Sequence, residues 1–150
     1  MLLKTKSFGD IEIGEEKFIT FKEGIPGFEE LKQFIIIEEE EESPFCYLQS
    51  IEDEAICFIL TNPYLFKPDY EPAIAKHYFQ QLGGGDLKNF SVFAMVSVKG
   101  EIETATLNLM APLVIQQETR FGMQVILDGQ DYTTKHAVLD LLAERGEQSC

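Results

Sequence analysis

Turn residues cut the first two thirds of this chain into short apolar runs: Gly9-Asp10, Gly14-Glu15-Glu16, Pro26-Gly27, Ser43-Pro44, Glu52-Asp53-Glu54 and Asn62-Pro63 punctuate it. The runs between them are rich in β-branched and aromatic residues and too short for stable isolated helices, so they read as strands. Lys4 to Phe8 and Ile11 to Ile13 are expected to form a hairpin around Gly9-Asp10, with Phe18 to Phe21 as the third strand of a meander. Pro26-Gly27 fits the centre of a type II turn, because proline presets one φ and glycine tolerates the sign change that follows. Glu29-Glu30-Leu31 is read as one helical turn before the apolar strand Phe34 to Ile37.

Cys46 to Ser50 and Ile56 to Leu60 are expected to pair about Asp53, with Cys46 opposite Leu60 and Cys57 opposite Gln49. The two thiols would then stand about 10 Å apart along the strands, too far for a disulfide. All three cysteines, Cys150 included, therefore read as free thiols. Ile74, Tyr78 and Leu82 recur at helical spacing, with Gly83 as the stop. The strand Phe90 to Val98 follows, then Thr104 to Leu109, Leu113 to Gln116 and Met123 to Leu127, with Pro112 and Gly122 as punctuation. Val138, Leu141 and Leu142 predict a last amphipathic helix ended by Gly146. The expected fold is one mainly β domain over 1–150, an antiparallel β-barrel-like or sandwich domain with one or two short helices, in which 137–150 is a helical extension.

Charge narrows the function classes. Twelve Lys and Arg against 26 Asp and Glu give 12 − 26 = −14, so direct nucleic-acid binding and attraction to anionic membranes are disfavoured. The N-terminal residues turn polar before any signal-like apolar run develops, which predicts a cytoplasmic protein. No CxxC pair exists, and His77 and His136 lie far apart, so no metal site and no cofactor is expected. Gly83-Gly84-Gly85-Asp86 lacks the lysine of a phosphate loop and reads as a helix-ending turn. Two features read as partner surfaces. Glu38, Glu39, Glu40, Glu41 and Glu42 form a run that would attract a basic partner, beside its plainer reading as a solvated loop. Tyr64 to Tyr70 holds three aromatic residues in a proline-rich loop, suited to recognition or to capping the core.

Five ordered blocks resemble the FliW family of flagellar assembly factors. They are Phe18-Ile19-Thr20-Phe21-x-Glu23-Gly24-Ile25-Pro26-Gly27-Phe28; Phe45-x-Tyr47-Leu48-Gln49-Ser50; Asn62-Pro63-Tyr64-Leu65-Phe66 with Pro68-Asp69-Tyr70; Asn108 through Ile115; and Thr119-Arg120-x-Gly122-x-Gln124-Val125. Lys22 and Asn62 depart from the family's common Pro and Asp, and 137–150 extends past its usual end. The resemblance implies a monomeric, non-enzymatic regulator. It would bind CsrA, a dimeric RNA-binding repressor of flagellin translation, antagonise its RNA binding, and exchange between CsrA and flagellin. Phe66, Pro68, Asp69, Tyr70, Asn108 and Ile115 are the expected anchors, with Glu38 to Glu42 as steering charge. Asn108 has a structural alternative, the satisfaction of backbone groups in a bend before Pro112, and Ile115 has one in the core. Two other functions are set against this one: a small β-barrel hydrolase or carbohydrate-binding module with a deep pocket and a perturbed carboxylate, and a chaperone for flagellin alone.

Overall fold

The computed structural model describes residues 1–148 and is mainly β. Strands β1 (Leu2–Thr5) and β2 (Gly9–Glu12) form a hairpin of their own. The other eight make one antiparallel sheet: β3 (Ile19–Thr20), β4 (Gln33–Ile37), β5 (Phe45–Ser50), β6 (Cys57–Thr61), β7 (Phe90–Ser97), β8 (Thr106–Gln116), β9 (Gly122–Gln124) and β10 (His136–Ala137). Its order is β10-β8-β7-β6-β5-β4-β3, and β9 adds to β8. Helix α1 (Lys76–Gln81) precedes β7, and α2 (Val138–Gln148) follows β10.

The expected three-stranded meander does not form. A 3-10 turn at Glu15–Lys17 follows β2, and β3 pairs with β4 through Ile19 opposite Phe34. Burial decides this, because Ile19 and Phe21 are fully enclosed while β2 is largely exposed. The first hairpin also turns elsewhere than expected. Thr5 pairs with Gly9, leaving Lys6-Ser7-Phe8 as the loop, and the Thr5 hydroxyl both donates to the Gly9 carbonyl (2.7 Å) and accepts from the Phe8 amide (2.9 Å). Gly9 takes φ +70° after the loop, the left-handed position of a three-residue hairpin.

Other local readings match. The Phe28 amide closes the turn on the Ile25 carbonyl at 2.7 Å with Gly27 at φ +89°. Cys46 stands opposite Leu60 and Cys57 opposite Gln49, with both thiols free. Glu29-Glu30-Leu31 is a hydrogen-bonded turn, not a helix, closed by the Leu31 amide on Phe28 (3.0 Å). Helix α2 runs through Gly146 instead of stopping there. Cys150 lies outside the described residues.

Pro112 does not separate two strands either: β8 is continuous from Thr106 to Gln116. Its register against β7 jumps between Phe93, opposite Leu113, and Met95, opposite Asn108. The extra residues bulge out, so the proline that cannot donate sits where the ladder is already broken.

Alternation along β7 divides the interior in two. Phe90, Val92, Ala94 and Val96 face one cluster, which α1, α2 and the loops around Tyr70 and Leu127 cover. Phe93 and Met95 face the other, built from inward residues of β3 through β8 such as Phe34, Leu48 and Leu113. The sheet curls around that second cluster. It is not a closed barrel: β3 meets the chain before β9 through one parallel bridge, Thr20 to Phe121, with the Thr20 amide donating to the Arg120 carbonyl (2.9 Å). Gly122 permits this approach, since a Cβ there would stand 2.8 Å from the Phe21 ring. Among the described residues, no helix is long and apolar enough to cross a membrane.

Candidate functional site

The aromatic loop is tied down along its length. Asn62 caps a 3-10 turn at Pro63–Leu65 by accepting from the Tyr64 amide (3.0 Å), and Pro63 starts the turn where no amide donor is needed. Phe66 stacks on Phe45 with ring centres 6.3 Å apart. Tyr70 is 2% exposed; its hydroxyl donates to the Leu109 carbonyl (2.7 Å), and its ring meets Tyr132 edge-on at 4.8 Å. Burial holds the Tyr70 phenol well above its ordinary pKa, with Tyr132 and Tyr64 adding to the shift. The Tyr132 hydroxyl accepts from the Glu71 amide (2.9 Å), while Gln130 donates to the Glu71 carbonyl and accepts from the Ala73 amide.

The proposed anchors therefore separate. Phe66, Tyr70 and Ile115 are core side chains and present almost no surface, because each fills a cluster the sheet must bury. Asn108 is half-buried and accepts from the Ala111 amide (2.9 Å), which satisfies the bend before Pro112. Pro68 and Asp69 remain exposed at the loop's tip, where Asp69 pairs with Lys67 at 3.3 Å. Tyr132, Gln130 and His136, absent from the sequence-based set, do the bracing. His136 pairs with Leu107 across the sheet edge, and its Nε2 accepts from the Thr133 amide (2.9 Å).

The acidic run behaves in the opposite way. Glu38 through Glu42 are all exposed. Among the described residues, the ion pairs are Met1 with Glu12 and Lys67 with Asp69, and none involves this run. Its field reaches inward: burial pushes the Cys46 thiol up to about 11, with the Glu38 charge adding to the shift.

Strand polarity explains what stands beside the run. In an antiparallel sheet the end of β4, start of β5, end of β6, start of β7 and end of β8 all reach the same rim of the curl. A cleft of about 710 Å³ opens there, lined by Ile36, Ser91, Phe93, Lys17, Arg120 and Glu38 among others. Arg120, at φ +62°, donates from Nη2 to the Lys17 carbonyl (3.0 Å) and fixes the seam. Glu38 and Phe93 also line a smaller cleft of about 230 Å³, with Glu40, Glu41, Phe45 and Leu65.

Among the described residues, no three His, Cys, Asp or Glu side chains stand close enough to hold a metal ion. Glu29's carboxyl is held below its ordinary value, chiefly by the Gly27 amide.

Fold and surface define a small, curled antiparallel β protein whose accessible features are an acidic loop and an open mouth. The family model described as FliW protein matches residues 2–138, and the chain belongs to that family. A flagellar assembly factor FliW from Alkaliphilus metalliredigens is 45% identical over 150 residues, covering 99% of this chain and 93% of the relative. One from Thermotoga neapolitana is 40% identical, covering 99% and 97%. The crystal structure of a flagellar assembly factor FliW superposes with a TM-score of 0.85 at 37% identity, covering 92% of this chain and 96% of that one.

Proposed function

We propose that this chain is a cytoplasmic flagellar assembly factor that acts by protein docking, with no bond-making step and no cofactor. In this reading it binds the repressor CsrA as a monomer, weakens CsrA's hold on flagellin messenger RNA, and exchanges CsrA for flagellin. The observation that carries the reading is the exposed run Glu38 to Glu42, without an ion pair among the described residues, on a chain of net charge −14 within this family. Like charges near a bound polyanion lower its affinity without covering its site, and linkage makes the weakening reciprocal. Of the expected anchors, Pro68 and Asp69 are the exposed ones; Phe66, Tyr70, Asn108 and Ile115 hold the surfaces from beneath.

The test replaces Glu38 to Glu42 with glutamine and follows displacement of labelled RNA from CsrA at low and high salt. Displacement is expected to weaken most at low salt. If the variant still binds CsrA and displaces RNA unchanged at both salts, electrostatic expulsion is wrong. Size-exclusion chromatography with each partner separates the remaining readings: a complex with flagellin alone makes the chain a flagellin chaperone, and no complex with either overturns the proposal.

A further inference from the structure

The mouth of the curled sheet is a second candidate surface, and it differs from the acidic loop in having a floor. Phe93 and Ile36 point inward along their strands but are only partly buried, and both line the larger cleft together with Ile13, Gly14 and Lys17 of the segment before β3. The two clefts adjoin at Phe93 and Glu38, which line both. The larger, about 710 Å³, falls within the roughly 300–1,000 Å³ typical of sites that enclose a small ligand or a side-chain anchor.

We propose that this mouth seats a bulky apolar side chain from an extended basic segment of a protein partner, with Phe93 and Ile36 as floor and Glu38, Glu40 and Glu41 as rim. This rests on the reading above that the chain docks a basic protein, and it adds where and how such a protein is gripped. Charge selects the occupant. The smaller cleft sets three carboxylates, without ion-pair partners among the described residues, around Phe45, Leu65 and Phe93. An acidic or purely apolar segment would desolvate those carboxylates and leave them unpaired, whereas Lys or Arg beside the anchor would pair them as water leaves. The larger cleft carries both signs beyond Glu38: Glu12, which pairs with the N-terminal amine, and Glu16 line it with Lys17 and Arg120, and Arg120 is already engaged with the Lys17 carbonyl. The smaller cleft has carboxylates and no cation among its lining residues, so the basic residues of the segment lie toward Glu40 and Glu41.

The probe is the capped peptide Lys-Lys-Phe-Leu-Lys-Arg, with Glu-Glu-Phe-Leu-Glu-Glu as control, titrated into the full chain and followed by amide chemical shifts at low salt. The basic peptide is expected to shift Ile36, Ser91 and Phe93, and to bind at least about tenfold more tightly than the acidic one. Ser91→Arg fills the floor and should abolish those shifts. The double variant Glu40→Gln/Glu41→Gln, at exposed positions, should weaken binding several-fold and keeps the test open if Ser91→Arg does not fold. Shifts confined to Glu38 to Glu42, equal binding of both peptides, or no binding of either would each overturn the inference. So would full binding by a folded Ser91→Arg. CsrA binding that survives Ser91→Arg removes the mouth but leaves the partner reading intact; peptide seating without any CsrA binding does the reverse.

Discussion

The acidic loop at Glu38 to Glu42 and the aromatic loop at Asn62 to Glu71 both read as partner surfaces from their residue types, yet they are opposite kinds of structure. In the first, five carboxylates stand in solvent without an ion pair among the described residues. In the second, Phe66 and Tyr70 are driven into the core, and the backbone just past them, at Glu71, is clamped by Tyr132 and Gln130. Charge is costly to bury and stays where solvent reaches it. Aromatic area is costly to expose, and a loop that carries three aromatic rings becomes part of the interior wherever a sheet face lies open beneath it. Of that loop's expected anchors, only Pro68 and Asp69 remain outside.

Substitutions at Tyr70 strain this contrast most. Tyr70→Ala empties a site closed by Tyr64, Tyr132 and Leu109, and should cost about 3–5 kcal/mol, read as a lower denaturant midpoint. Tyr70→Phe keeps the ring but strands the buried Leu109 carbonyl, at about 1–3 kcal/mol. Were Tyr70 a surface anchor, both losses would fall within about 0.5 kcal/mol.

His136 sharpens the comparison through pH. Its pKa is held below the ordinary value, first by burial and then by the Lys67 charge, while Glu144 opposes both. Its Nε2 accepts from Thr133, an interaction only the neutral ring can make. The unfolded chain takes up this proton first. The stabilisation is thus complete above the unfolded value of about 6.5, and it is lost as pH falls from there through the lower folded value. Denaturant midpoints measured between neutral and mildly acidic pH should fall less steeply for His136→Ala than for the parent protein. Equal slopes would remove His136 from the brace.

Glutamine at all five positions of Glu38 to Glu42 should change stability least, within about 0.5 kcal/mol. The same variant is expected to slow association with a basic partner about tenfold at low salt and much less at high salt, measured by stopped flow. A large loss of stability would mean that the run holds the fold together after all.

Much of the fold is legible along the chain because the signals are local. Pro26-Gly27 carries its turn in its own dihedral preferences, and the register of Cys46 against Leu60 follows from the tip at Asp53. The resemblance to FliW-family blocks is likewise a property of the string, and the family match confirms it. Less of the candidate site could be read this way. Arg120 lay within a quoted block, but nothing in the string places it beside Ile36 and Phe93 at one rim. Ile115 looks the same in sequence whether it lines a surface or a core.

What the order of residues settles alone is that the chain divides into short strands with turns such as Pro26-Gly27, and that the excess negative charge remains at the surface, since both follow from each residue's own backbone and solvation preferences. The tertiary structure decided the partner of β3, the enclosure of Tyr70 and the existence of the mouth. Each depends on groups distant along the chain, as when the Tyr70 hydroxyl finds the Leu109 carbonyl 39 residues away. Burial is a property of the assembled sheet, and no short stretch of residues contains it.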